Sequence, residues 1–108
     1  MIIYEVNLSI QKEIADSYKQ WLKKHMSEML KIEGFNKAQM FYRDPTDATP
    51  KDENVILLTI HYTINDRKNL ERYFSHEAKK MRQEAMDLFG NKFSATRRVL
   101  ELHEKKTL

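Results

Sequence analysis

One hundred and eight residues, 41% hydrophobic and 32% charged with only two glycines and two prolines, describe one domain with a single core and few loops. Cysteine is absent, which excludes a disulfide framework, a thiolate nucleophile and a thiolate metal site, and suits a reducing cytoplasm. Nineteen Lys and Arg against 16 Asp and Glu leave a net charge of +3 with the signs interspersed, a mixed solvated surface that gives no reason to expect a nucleic-acid partner.

The opening Met-Ile-Ile-Tyr-Glu-Val lacks the basic region and apolar run of a secretory leader. No stretch approaches the roughly 18 apolar residues of a membrane span, so a soluble cytoplasmic protein without a membrane partner is expected. Residues Ile2 to Ile10 alternate with the period of a strand: Ile2, Tyr4, Val6, Leu8 and Ile10 share one face, and Ile3, Glu5, Asn7 and Ser9 the other. From about Lys12 to Lys31 the period becomes helical, with Ile14, Tyr18, Trp21, Leu22, His25, Met26, Met29 and Leu30 on one broad stripe. Twenty helical residues span ~30 Å, about the length of the strand, so this helix can carry the chain back as a crossover. Gly34 stands where a left-handed cap belongs, with Phe35 as its apolar closure. Phe35 to Arg43 reads as the second strand, placing Ala38, Met40 and Tyr42 on one face and Lys37, Gln39 and Arg43, with Phe35 and Phe41, on the other. Asp44 to Asn54 is polar, holds both prolines and is expected to be a mobile, exposed hairpin connection.

Val55 to Ile64 is the strongest strand of the chain. Ile56, Leu58, Ile60, Tyr62 and Ile64 form a solidly apolar face, while Val55, Leu57, Thr59, His61 and Thr63 form a mixed one. Asn65 and Asp66 offer an N-cap for a second helix, in which Leu70, Tyr73, Phe74, Ala78, Met81, Ala85 and Phe89 keep helical spacing up to Gly90. The last strand, Phe93 to Leu102, alternates poorly: Arg97 and Glu101 fall in one set and Ser94, Thr96 and Arg98 in the other, so its faces stay unassigned. Residues 1–102 make the single domain, and 103–108 a polar tail expected to fray. The order strand, helix, strand, strand, helix, strand, with right-handed crossovers, predicts an α+β ferredoxin-like fold. Its four-stranded antiparallel sheet has order 4-1-3-2, with both helices on one face.

In that order Glu5 and Asn7 lie beside Thr59 and His61 on the sheet's open face. A carboxylate beside an imidazole in a partly dry cleft is the raw material of an acid-base pair, which makes Glu5 and His61 candidate catalytic residues with Asn7 and Thr59 as ligand contacts. The plainer alternative is a structural cross-strand pair, or an ion pair from Glu5 to Arg97 or Arg98. Trp21, His25 and His76 are further candidate ligand contacts, as are Arg97 and Arg98, which together with Arg82 suit an anion or a subunit contact. His25 and His76 are of a type that ligates haem or metal. Neither has a second ligand at helical spacing on its own face, so no metal site and no cofactor are expected, and a hydrogen-bonded structural histidine is the simpler reading. The open-face positions on the two central strands hold no aromatic residue to stack a base, a second argument against nucleic acid. The aliphatic members of the open face favour cover by a second copy of the chain.

The turn Ile32-Glu33-Gly34-Phe35-Asn36-Lys37-Ala38 and the helical run Leu70-Glu71-Arg72-Tyr73-Phe74-Ser75-His76-Glu77-Ala78 resemble their counterparts in the dimeric α/β-barrel superfamily, which includes the antibiotic-biosynthesis monooxygenases. With the opening Met-Ile-Ile-Tyr-Glu-Val-Asn-Leu and the ending Phe93 to Leu100, the whole chain is similar to a small bacterial family of unknown function in that group. The resemblance implies a homodimer whose paired sheets form the barrel, with a pocket between sheet and helices. Cofactor-independent oxidation of a small organic molecule is among the activities it suggests. The alternative is a non-catalytic structural or interaction module.

Overall fold

The ten-residue apolar run forms a strand over the bounds its pattern predicts, Val55–Ile64, and the sheet is built around it. The computed structural model describes residues 1–48 and 50–108; Thr49, in the connection between the second and third strands, lies outside them. The elements are β1 (Ile2–Gln11), α1 (Ala15–Met29), β2 (Phe35–Tyr42), β3 (Val55–Ile64), α2 (Arg67–His76), α3 (Ala78–Phe89) and β4 (Phe93–Glu101). All pairings are antiparallel and the spatial order is β2-β3-β1-β4, the predicted 4-1-3-2 seen from the other edge. This is the ferredoxin-like α+β arrangement.

Alternation in β1 and β3 decides which face is covered. Tyr4 pairs with Tyr62, and Leu8 with Leu58. These side chains join Ile10, Ile60 and Ile64 in a core shared with Tyr18, Leu22 and Met29 of α1 and Leu70 and Tyr73 of α2. Each such aliphatic side chain, fully buried, stabilises the fold by roughly 1.5–3 kcal/mol. Asp66 caps α2 as expected, its carboxylate accepting the Asn69 amide at 2.9 Å.

Three local details depart from the sequence pattern, and a fourth is one that the pattern leaves open. The helix predicted as one run to Phe89 is broken at Glu77, where φ is −108°. The ring of His76 lies against the Arg72 carbonyl oxygen with Nδ1 at 2.9 Å, so its N–H occupies the acceptor four residues back, one of the recognised causes of a kink. Phe35, assigned to the polar face of β2, is buried against Tyr62 and Tyr73. A register shift between Phe35 and Lys37 turns it over while the rest of the strand keeps its predicted faces. The first helix is shorter than its periodicity: Lys12–Ile14 is a 3-10 turn, α1 ends at Met29, and Leu30 of the apolar stripe is exposed. Gly34, at φ +87°, therefore shapes the turn into β2 rather than closing the helix directly. Finally, β4 receives its faces from its register. Arg97 pairs with Val6 and points to the helices, whereas Arg98 pairs with Glu5 and points to the open face.

Candidate functional site

Two sites emerge, one on each face of the sheet. Between sheet and helices lies a cavity of about 330 Å³. Helical spacing carries Tyr18, Trp21, Leu22, His25 and Met29 of α1 onto its wall. Tyr4, Val6 and Leu8 of β1 form part of the floor, and Phe93, Ala95 and Arg97 of β4 the side. Ile60 and Tyr62 of β3 continue the floor, and Tyr73 of α2 and Met81, Arg82, Ala85 and Met86 of α3 line the cavity from the helical side. Arg82 and Met86 also line a shallow groove on the outer surface with Phe74 and Lys79, so the two hollows adjoin at these side chains.

Aromatic rings dominate the interior. The His25 ring is stacked on Trp21 at 4.8 Å with 12° between planes, and Tyr18 meets Trp21 at 5.5 Å and Phe93 at 5.0 Å. Burial drives the His25 pKa down to about 4, and the nearby positive charge of Arg97 adds to the fall, so this imidazole is neutral at physiological pH. Burial likewise holds the phenols of Tyr18, Tyr62 and Tyr73 protonated. Arg82 donates from Nη2 to the Tyr4 hydroxyl at 3.1 Å. A neutral base, several phenolic donors and two guanidinium groups thus face one small aromatic chamber.

On the opposite face, six polar side chains join β1, β3, β4 and the residue that follows β2. Glu5 accepts from Asn7 Nδ2 at 2.9 Å and from Arg98, and lies 2.8 Å from His61 Nε2. Thr59 donates to Asn7 Oδ1 at 2.6 Å, and Arg43 donates to Thr59 Oγ1 at 3.0 Å and to the Leu58 carbonyl. Burial pushes the Glu5 carboxyl up, but bonds from Arg98, Asn7 and His61 outweigh it and hold the pKa at about 2. Glu5 and Thr59 are buried by the chain's own side chains, so their cover needs no second copy. Phe41 and Leu100 flank the row and stay exposed at 43% and 37%.

The sequence candidates therefore divide. Trp21, His25 and Arg97 line the cavity. Glu5, Asn7, Thr59, His61 and Arg98 lie on the far side of the sheet from it, because their odd or even place in the strand alternation gives them the other face. The pairing of Glu5 with Arg98 is one of the two ion pairs weighed from sequence. His76 is exposed at the end of α2 and does not line the cavity. Sequence reasoning missed Arg43, whose place just past β2 on the polar face was the available signal. It also missed the cavity phenols, whose spacing reads only as core.

The sheet order and the helices packed on one of its faces make the chain a ferredoxin-like α+β domain. A Deinococcus radiodurans protein provisionally designated an antibiotic biosynthesis monooxygenase superposes with a TM-score of 0.72 at 14% identity, covering 100% of this chain and 98% of that one. A variant of SnoaB, a cofactor-independent oxygenase from Streptomyces nogalater, gives 0.66 at 10% identity over 96% of this chain and 95% of that one. A dimeric ferredoxin-like protein from an uncultured marine organism gives 0.62 at 14%, over 95% and 98%. At such identities the likeness is one of fold. No curated protein matches the chain. Residues 1–103 match the family described as a domain of unknown function, DUF4286, and the chain belongs to that family.

Proposed function

We propose that this protein is a homodimer that binds a small, flat organic molecule in the cavity between sheet and helices. The observation that carries the reading is the chamber itself: about 330 Å³, walled by aromatic rings, with a few convergent polar groups. That is the composition of a small-molecule site at the small end of the usual size range. Space for roughly eleven water volumes suits a molecule of one or two rings.

Oxidation without a cofactor fits the same chamber. An organic ring becomes reactive toward oxygen once an acidic C–H or phenol has lost its proton to solvent, and Arg97 supplies positive charge for the resulting anion. His25, with its pKa down at about 4, is too weak a base to take that proton and stays neutral beside the guest. The cofactor-independent oxygenase SnoaB, which shares the fold, lends this reading support by analogy. Glu5 and His61, bonded to each other on the open face, belong in this view to the sheet.

Native mass spectrometry of the purified protein and thermal-shift measurements against one- and two-ring phenols test the proposal. A retained small mass, or a saturable rise in Tm, is expected. A cooperatively melting protein that retains nothing and responds to none of them would overturn it.

A further inference from the structure

Of the six arginines in the chain, four hold a carboxylate: Arg43 with Asp47, Arg67 with Glu101, Arg72 with Glu33 and Arg98 with Glu5. The two without an acidic partner among the described residues are Arg82 and Arg97, and both line the cavity. None of the residues lining it is an Asp or Glu. The lining itself therefore carries charge of one sign, while the carboxylates of Glu28 and Glu77 stand behind it, near enough to act on His25 and Tyr73.

Resting on the cavity reading above, the geometry points to a carboxylate-bearing aromatic molecule as the occupant, with Arg97 as the residue that holds the carboxylate and Arg82 as the cation beside the outer groove. Arg97, exposed on β4 at the side of the chamber, makes no side-chain hydrogen bond among the described residues, so its planar fork is open to two carboxylate oxygens. Its charge is felt across the chamber, at His25, Tyr18 and Tyr73. Arg82 uses Nη2 on the Tyr4 hydroxyl, which fixes it where the two hollows adjoin, with other donors open. A phosphate dianion fits less well: beyond the guanidinium groups its oxygens would find phenols set among aromatic rings, with no lysine in the wall. Carboxylate at one end and ring at the other match the cationic side and the Trp21 wall.

Isothermal titration calorimetry with 2-naphthoate, its neutral amide and 2-naphthyl phosphate, on the wild type and on Arg97→Gln, Arg97→Lys and Arg72→Gln, tests the assignment. The acid is expected to bind at least about tenfold more tightly than the amide, the scale of one charged hydrogen-bonding contact. Arg97→Gln should abolish that ratio while leaving amide affinity intact, Arg97→Lys should keep part of it, and the surface variant Arg72→Gln all of it. Equal binding of acid and amide to the wild type would overturn this inference and leave the cavity reading standing. Tighter, Arg97-dependent binding of the phosphate would overturn the choice of carboxylate. Binding of none of the three would remove the cavity reading itself.

Discussion

Glu5 keeps its charge through neighbours rather than water, and His25 keeps its neutrality through burial; each leaves a separate mark on stability. With a folded pKa of about 4 against 6.5 unfolded, His25 takes up its proton more readily in the unfolded chain. Stability it supports above pH 6.5 is thus lost as the pH falls toward 4, by about 3 kcal/mol at full effect. Glu5, at about 2 against 4.5, also binds its proton better unfolded, and its contribution, present above pH 4.5, disappears as the pH falls through 2. Chemical denaturation across pH should therefore show two successive losses, and His25→Gln should flatten only the upper one. At neutral pH, Glu5→Gln is expected to lower stability by about 2 kcal/mol, because Asn7 and His61 keep their places while the carboxylate they and Arg98 surround is gone. Arg98→Gln should matter less, under about 1 kcal/mol, since that side chain is 67% exposed. Equal effects of the two substitutions in urea titrations would sink this account of the row.

Elements were legible where one face is uniformly apolar and obscure where it is not. β1 and β3 lie under helices, so their alternation names their faces, and the open-face grouping of Glu5, Asn7, Thr59 and His61 followed directly. β4 is an edge strand whose long arginines can cover either side, and only pairing with β1 separates Arg97 from Arg98. The cavity was harder still, because Tyr18, Trp21 and His25 at helical spacing look the same whether the space beyond them is filled or empty. Nor does periodicity register a single extra residue, such as the irregularity that turns Phe35 inward. The turn before β2 was legible through Gly34, and it offers a direct test. A Cβ there would lie 2.5 Å from the Asn69 side chain on a backbone at φ +87°. Gly34→Ala is expected to lower stability by at least about 1–2 kcal/mol from backbone strain alone, read as a lower denaturation midpoint. Asn69→Gly, which removes the Cβ at 2.6 Å along with the amide, should recover the part that comes from the collision when the double variant is compared with Asn69→Gly alone.

As a whole the molecule is a thin sheet with unlike sides: an aromatic chamber on one, and a polar row bordered by apolar side chains on the other. Among the described residues no helix is long and apolar enough to cross a membrane. Exposed Phe41 and Leu100 stand near opposite edges of the open face, where a second copy related by a two-fold axis would bring like surface against like. Sedimentation at micromolar concentration should find dimers, and Phe41→Asp or Leu100→Asp should yield single chains that still melt cooperatively. A wild-type protein sedimenting as single chains would remove the subunit contact from the picture and leave the chamber untouched.

The stacking of His25 on Trp21 has an optical corollary. Trp21 is the only tryptophan in the chain, so every photon of indole emission originates at the chamber wall, beside an imidazole held parallel to it. An imidazolium draws electron density from excited indole far more effectively than a neutral ring does. The emission should therefore dim with acid around a midpoint near pH 4, and respond also to any guest that displaces solvent from the ring. Evolution has in effect wired a reporter dye into the wall, readable in a cuvette without labelling.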